Sequence, residues 1–162
     1  MTNGIKVKKR NGRGVEPLDL DKMHKMVEEA TKGIAGVSAS QVEIQSGIQF
    51  YDGITTKEIQ EILIKSASDL IDLDYPNYQY VAARLLLFSL RKNLYGRTRE
   101  LPHLEQHIYS CTNIDVYDKE IFDKYSKEEI DKINGFIDHE RDFLFTYAGL
   151  RQVVDKYLVQ DR

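Results

Sequence analysis

The sequence contains little of what several common kinds of protein need. Its 162 residues include one cysteine, Cys111, so an internal disulfide and a zinc site built from several cysteines are excluded. Three prolines and ten glycines are too few for a fibrous or disordered chain. No apolar run approaches the ~20 residues that a membrane span needs, and residues 1–8 lack the apolar segment of a signal peptide. We therefore expect a cytoplasmic protein with no membrane partner.

The charge is almost balanced in number but unevenly distributed. The 23 basic and 26 acidic side chains give a net charge of −3. This balance argues against a nucleic acid as the partner, because sequence-independent binding of duplex DNA relies on a basic surface. Basic residues are concentrated in residues 1–13 and 91–99, whereas residues 115–142 are rich in aspartate and glutamate. The N-terminal basic group lies in a segment with the pattern of ordered structure.

The beginning of the chain predicts a small β-hairpin. Residues 5–8 alternate between apolar and polar, which is the period of a half-buried strand, and Asn11-Gly12 is a strong hairpin-turn signal. Residues 13–17 predict a short or edge strand as the return, because Pro17 has no amide hydrogen to donate to a sheet.

Four helices are predicted after the hairpin. Apolar residues at steps of three and four from Leu20 to Ile34 predict the first, with Asp19 or Asp21 as its N-cap. Residues 78–95 are apolar almost all round, which predicts a buried helix. The second and third helices, and a later one, are expected to begin at sequences with the spacing of a capping box: Ser40 with Glu43, Thr55 with Glu58, and Ser126 with Glu129.

These elements predict an α+β fold that is mostly α. A small β-hairpin or β cap would lie on a four-helix bundle, and further helices would follow. Residues 98–102 are the expected boundary, with residues 1–96 as one domain and residues 97–162 as a second, helical segment. Packing around the fourth helix is expected to form the core.

No combination of side chains predicts a catalytic centre. His103 and His107 have a spacing that suits a metal, but two ligands do not make a site, so surface or packing roles are favoured. Cys111 would act as a nucleophile only with a base beside it, and its helix position favours packing. The two commonest glycine loops that bind phosphate are absent from the sequence. We therefore predict no catalytic residue and no metal site.

An anion site of another kind is compatible with the sequence. Lys9 and Arg10 occupy the tip of the hairpin, and residues 55–56 stand at a helix N-terminus, where amide groups and the helix dipole favour phosphate. Lys22 and Lys92 lie at the start of the first helix and near the end of the fourth. Four separated cations of this kind, if the fold brings them together, would suit a triphosphate.

Several longer motifs resemble one enzyme family. Residues 7–12 (VKKRNG) and 18–23 (LDLDKM) resemble the opening of an ATP-cone. Residues 50–56 (FYDGITT), 78–84 (YQYVAAR) and 137–142 (IDHERD) are similar to the N-terminal region of the large (alpha) subunit of class Ia ribonucleoside-diphosphate reductase, in its bacterial and T-even phage form. The likeness covers essentially the whole chain.

The resemblance implies an allosteric activity switch in residues 1–96, which would be the ATP-cone. In this family, ATP at the cone activates the enzyme, and dATP inhibits it by favouring an inactive assembly with the small (beta) subunit. Residues 97–162 would begin the helical part of the catalytic domain, whose cysteines lie beyond this chain. The effector, with Mg²⁺, would contact cationic, polar and apolar residues: Val7, Lys9, Arg10, Glu16, Pro17, Leu18, Asp19, Leu20, Asp21, Lys22, Met23, Phe50, Thr56, Ile59, Gln60 and Lys92.

One of these residues departs from the family pattern. Gln60 stands where a relative carries a histidine near the sugar, so the discrimination of ATP from dATP is expected to be altered or lost. The expected partners are the remainder of the large subunit and the small subunit, in the host cytoplasm if the protein is phage-encoded. The chain would be an excised N-terminal part of the subunit or one piece of a split gene. An interaction module that docks to the small subunit without binding nucleotide is the alternative.

Overall fold

The computed structural model describes residues 4–9 and 14–158. It confirms an α+β fold that is mostly α, with one two-stranded sheet. None of the helices in the described ranges is long and apolar enough to cross a membrane. The elements in chain order are β1 (Lys6–Lys8), β2 (Val15–Pro17), α1 (Leu20–Thr31), α2 (Ala39–Gly47), α3 (Thr56–Asp69), α4 (Tyr78–Tyr95), α5 (Leu104–Asn113), α6 (Glu120–Lys124), α7 (Lys127–Asn134), a 3-10 helix (His139–Leu144) and α8 (Tyr147–Lys156).

The two strands form the predicted antiparallel pair. Val7 lies opposite Glu16 at the centre of the pair, and its side chain is 3% exposed, so one face of the hairpin is buried. Lys8 also makes an isolated parallel bridge with Thr55, just before α3. The hairpin therefore packs against the start of α3, as expected for a small β element on a helical bundle. The predicted Asn11-Gly12 turn lies outside the described residues.

Three of the predicted helix starts are confirmed by their caps. The Asp19 carboxylate accepts the Lys22 amide at 3.0 Å at the start of α1. Capping boxes at Thr55 and Ser126, each completed by a glutamate three residues later, begin α3 and α7. Local side-chain chemistry therefore determines where these helices begin.

The predicted capping box at the second helix is wrong. The α2 helix begins at Ala39 with Ser38 as N-cap, and Ser38 makes no side-chain capping bond. Ser40 therefore lies within the first turn. The Glu43 carboxylate, which the box required, instead contacts Nδ1 of His24 on α1 at 2.7 Å. A tertiary contact has taken the partner that the local pattern assigned to the cap.

The chain divides into two compact units. The first, hereafter unit 1, contains the described residues up to Ser89 and from Phe143 onward. Its core is formed by the apolar part of α4, where Leu85 is completely buried, together with buried side chains of the other helices. Phe143 belongs to this unit because its ring lies edge-on to Phe88, 6.2 Å between centroids, and under the Arg84 guanidinium.

The second unit, unit 2, is Leu90–Asp142. Here α5 packs on α7, and the buried residues Ile108 and Ile130 lie on these two helices. The buried Arg91 side chain donates to the Asp142 carboxylate at 2.7 Å and to the His139 carbonyl at 3.2 Å. This division by packing differs from the expected division at residues 96 and 97, which refers to family segments and stays a prediction.

Candidate functional site

The strand β1 is held against the turn before α3 by backbone hydrogen bonds. The Lys8 amide donates to the Ile54 carbonyl at 2.9 Å, and the Gly53 amide donates to the Lys6 carbonyl at 2.8 Å. Gly53 has a φ of 83°, a conformation that favours glycine and shapes this turn. The end of β1, with Lys9 beside it, is thereby fixed next to the N-terminus of α3.

Four charged residues, Lys9, Glu16, Asp19 and Lys22, form two ion pairs near the start of α1, hereafter the charged cluster. Their role at an effector site stays a prediction. Lys9 Nζ lies 2.7 Å from a Glu16 carboxylate oxygen, and Lys22 Nζ lies 3.0 Å from an Asp19 oxygen. The hydrogen bond from Lys22 to Asp19, and then the charges of Asp19 and Glu16, raise the pKa of Lys22. All four side chains are at least a third exposed, so each ion pair is weak and open to exchange with another anion.

The N-terminus of α3 already has a carboxylate, that of Glu58. One Glu58 oxygen accepts the Thr55 amide at 2.8 Å, and the other accepts the Tyr51 hydroxyl at 2.7 Å. Hydrogen bonds from the Thr55 hydroxyl, the Tyr51 hydroxyl and the Thr55 amide lower the pKa of Glu58 to about 2, with a further contribution from the charge of Lys8. The negative charge that a helix N-terminus favours is therefore supplied internally. A phosphate at this corner would depend on the lysines.

An open cleft of about 310 Å³ lies between α1 and α2, close in size to small ligand sites. Four of the predicted site residues line it, namely Leu20, Asp21, Met23 and Phe50. The other lining residues, which the sequence analysis missed, are His24, Glu43, Ile44 and Gly47. No sequence signal identified them, because the cleft exists only where α2 packs beside α1.

Other predicted residues contribute less surface to this region. Val7 and Ile59 are 3% and 9% exposed, so they belong to the core and offer almost no surface to a ligand. Pro17 ends β2, and the Leu18 amide donates to the Ile5 carbonyl at 2.9 Å. Thr56 is the first residue of α3.

Three predicted residues remain, namely Gln60, Lys92 and Arg10. Gln60 is 3% exposed, and its amide nitrogen lies 3.5 Å from Met26 Sδ, in contact with α1. Lys92 is an exposed residue of unit 2, and its place at the site stays a prediction. Arg10 lies outside the described residues.

Unit 2 holds the histidines that the sequence analysis considered as metal ligands. His103, Glu105 and Asp131 lie within metal-ligand reach of one another. Each has a partner, however, because His103 Nδ1 accepts the Glu105 amide at 3.4 Å and the Glu105 carboxylate pairs with Lys127 at 3.6 Å. His107 is not part of that group.

His107 is instead surrounded by two aromatic rings and the thiol. It packs edge-on against Tyr95 and Tyr117, with both centroid distances at 5.8 Å, and lies 3.7 Å from Cys111 Sγ. The imidazole is the kind of neighbour that the sequence analysis required for a nucleophilic Cys111, so the packing role favoured for Cys111 stays a prediction.

The comparisons with known proteins identify the family of the N-terminal region. A family model described as the ATP cone domain matches residues 5–93, which include both strands and the first three helices. The chain is 47% identical over its 162 residues to the alpha subunit of ribonucleoside-diphosphate reductase from Haemophilus influenzae, and 46% identical to the alpha subunit of ribonucleoside-diphosphate reductase 1 from Escherichia coli. The phage T4 alpha subunit is 43% identical over 140 residues, which are 85% of this chain and 18% of that protein.

The matched region is a small part of these relatives. The chain spans about a fifth (21%) of the length of the two bacterial subunits, all of it within the alignment. The family model covers more than half of the chain, and it includes every residue of the predicted effector site. The chain therefore belongs to the ATP-cone family, in a sequence that is similar throughout to the alpha subunit of ribonucleoside-diphosphate reductases.

Proposed function

We propose that this chain binds ATP and dATP as allosteric effectors and is the regulatory part of a ribonucleoside-diphosphate reductase. The observation that supports this most directly is the charged cluster of Lys9, Glu16, Asp19 and Lys22 near the start of α1, in which Lys9 follows the residue that is bridged to Thr55 at the start of α3. Asp19 and Lys22 also flank two residues, Leu20 and Asp21, that line the cleft between α1 and α2. Charged and apolar surfaces thus adjoin, which suits a nucleotide.

Binding of a triphosphate would proceed by exchange of ion pairs. Lys9 and Lys22 are each paired with a carboxylate, and these exposed pairs contribute little stability. A triphosphate offers several oxygens and more negative charge than one carboxylate, so it would displace Glu16 from Lys9. The released Glu16 carboxylate would then accept a hydrogen bond from the adenine amino group or a ribose hydroxyl.

The apolar residues would hold the base. Met23 and Phe50 line the cleft. Phe50 is half-buried, so part of its side chain is accessible to a bound base. Gln60 is turned toward Met26, so it would reach the sugar only after a change of rotamer. This position predicts weak discrimination between ATP and dATP, because the two differ by one hydroxyl.

The described residues of the cone fit a nucleotide better than an independent metal site. Lysines occupy the charged cluster together with the acids, and the ion pairs already use Glu16 and Asp19. Mg²⁺ usually keeps several waters and binds through substrate phosphates and one or two carboxylates. We propose that any Mg²⁺ enters with the nucleotide, and that Asp21, an exposed carboxylate in the lining of the cleft, is its candidate protein ligand.

Calorimetric titration of the chain with ATP and with dATP, with Mg²⁺ present, tests the proposal. Both nucleotides should bind. Lys9→Ala should weaken both by roughly 10- to 100-fold, since a charge-assisted hydrogen bond contributes about 1.5–3 kcal/mol. Lys65→Ala is the matched control, because Lys65 also forms an exposed ion pair, with Asp69 at 2.6 Å, but toward the other end of α3. It should leave both affinities unchanged.

Absence of heat with either nucleotide, from a chain that circular dichroism shows to be helical, would overturn nucleotide binding. The chain would then be tested as the alternative, an interaction module that docks to the reductase small subunit. Reduction of ribonucleoside diphosphates itself would require the longer subunit, since the chain matches about a fifth of its relatives. The remainder of that subunit and the small subunit are the proposed partners.

A further inference from the structure

His24 lies between two carboxylates from different helices. Its Nδ1 is 2.7 Å from a Glu43 oxygen on α2, and its Nε2 is 3.2 Å from a Glu28 oxygen on α1. An ionised carboxylate only accepts hydrogen bonds, and a neutral imidazole carries a single N–H. Both contacts are hydrogen bonds at the same time only when the ring carries two protons. The hydrogen bond to Glu43 and the ion-pair distance to Glu28 together favour the imidazolium form.

The α2 helix depends on contacts of this kind. It has nine residues, no side-chain bond at its N-cap, and only Val42 and Ser46 fully buried, whereas Ile44 is 67% exposed. A helix this short has little stability of its own. Its position must come from tertiary contacts.

Polar contacts hold α2 along its length, among them the hydrogen bond that the Tyr78 hydroxyl donates to Gln41 Oε1 on the helix itself. At its N-terminus the Ser38 amide donates to the Tyr78 hydroxyl at 3.0 Å, and after its C-terminus Gln49 donates to the Ser66 hydroxyl at 3.2 Å. Between them, the bond from His24 to Glu43 is the ionisable contact. It also crosses the rim of the 310 Å³ cleft, because both residues line it.

We propose that His24 is a proton-operated clasp that fastens α2 to α1 across the mouth of this cleft. When protonated, the ring bridges Glu43 and Glu28. When neutral, the ring has one N–H and donates to one of the two carboxylates, so the other carboxylate loses its donor. This property goes beyond nucleotide binding and does not require a nucleotide.

The other charged groups around the ring reinforce the direction of the effect. Among the described residues that line the cleft, Asp21 on α1 and Glu43 on α2 are the charged neighbours of His24, and both are acidic. Lys25 and Lys32 lie with Glu28 along a separate surface depression. The cleft side of His24 is thus negative, which favours the imidazolium.

The pH range of the clasp follows from the same contacts. The hydrogen bond to Glu43, then its charge, and to a smaller extent Glu28, raise the pKa of His24 above its ordinary value of 6.5. A pKa that is raised in the folded state adds stability that is complete below the unfolded value and is lost as the pH rises through the folded value. The clasp should therefore release in neutral to mildly alkaline solution.

Nuclear magnetic resonance of the whole chain tests the clasp without nucleotide. The histidine ring resonances are followed from about pH 5 to about pH 9, which spans the ordinary range of histidine, and His24→Gln identifies the His24 signal. We expect a midpoint above the ordinary value. The backbone amides of Glu43, Ile44 and Gly47 on α2 should shift with that same midpoint. Glu43→Gln should lower it, and Glu28→Gln should lower it by less.

His139→Gln is the matched control, because His139 is similarly exposed and also lies beside a carboxylate, that of Asp142 at 3.7 Å, but in unit 2. It should leave the titration of α2 unchanged. The proposal is overturned if His24 titrates at its ordinary value, or if the α2 amides do not follow it. Should His24→Gln fold poorly, Glu43→Gln decides, since it keeps the ring in place. Because no nucleotide is present, failure here leaves the proposed function untouched.

Discussion

The two compact units use their apolar residues in different ways. In unit 1, α4 alone buries a run of side chains that includes Val81, Leu85 and Phe88. Among the described residues of unit 2, Ile108 and Ile130 are the fully buried apolar side chains, while Ile114 and Phe136 are 70% and 79% exposed. Unit 1 is thus held by a hydrophobic core, whereas unit 2 relies more on polar contacts.

The polar contacts of unit 2 centre on Arg91. The Arg91 side chain is 7% exposed, and its guanidinium donates hydrogen bonds to the Asp142 carboxylate and to the carbonyls of His139 and Thr98. Capping at Ser126 and the bond from the Leu104 amide to Asn134 fix the ends of its helices. Directional bonds of this kind position a segment with little core. Although the sequence is similar to its relatives over the whole chain, the two units are therefore stabilised in different ways.

The largest effect is expected when a buried side chain in the core of unit 1 is truncated. Leu85→Ala should lower the free energy of unfolding by about 2–5 kcal/mol, because Leu85 is completely buried and its loss leaves a cavity. Leu94→Ala, on the same helix but 65% exposed, should change it by less than about 0.5 kcal/mol. Urea unfolding followed by circular dichroism measures both. Equal losses would contradict a core confined to the first part of α4.

A smaller loss is expected from the polar centre of unit 2. Asp142→Asn should cost about 1–3 kcal/mol, because it removes the charged partner of a buried guanidinium. Asp155→Asn breaks the exposed pair with Arg151, 3.4 Å apart, and should cost less than about 1 kcal/mol. Amide hydrogen exchange in Leu90–Asp142 should rise in the first variant alone. Equal changes in the free energy of unfolding and in hydrogen exchange for the two variants would mean that the ion pair of Arg91 with Asp142 does not stabilise unit 2.

Much of the fold was predictable because its signals are local. The caps at Asp19, Thr55 and Ser126 each lie within three residues of their partners, and the apolar run of α4 can be read directly. The start of α2 was not predictable, because Glu43 contacts His24, 19 positions away, instead of closing its own capping box. Local patterns fail where a tertiary partner competes for the same group.

In the candidate site, too, features that depend on local sequence were predictable, whereas features that depend on tertiary contacts were not. The sequence predicted the hairpin but not its register, which places Glu16 opposite Val7 and within reach of Lys9 two residues further on. The burial of Gln60 against Met26 depends on how α3 packs on α1, and the cleft residues His24 and Ile44 depend on α2. Charge and motif predicted which residues form the candidate site, and that prediction stays open, whereas the directions of the side chains follow only from the packed helices.

The smallest effect separates the two capping boxes, which have the same chemistry in different surroundings. Thr55→Ala should cost about 1–2 kcal/mol and Ser126→Ala about 0.5–1 kcal/mol, within the range for N-caps. The Thr55 box is partly buried, and its Glu58 also accepts the Tyr51 hydroxyl, whereas the Ser126 box is exposed. Loss of Thr55 therefore also loosens the turn that holds β1, and Lys9 with it. Urea unfolding gives both values, and titration with ATP gives a second readout: Thr55→Ala should weaken binding and Ser126→Ala should not. An equal cost for both variants, with unchanged affinity, would mean that the box at α3 acts only as a helix cap and does not support the nucleotide site.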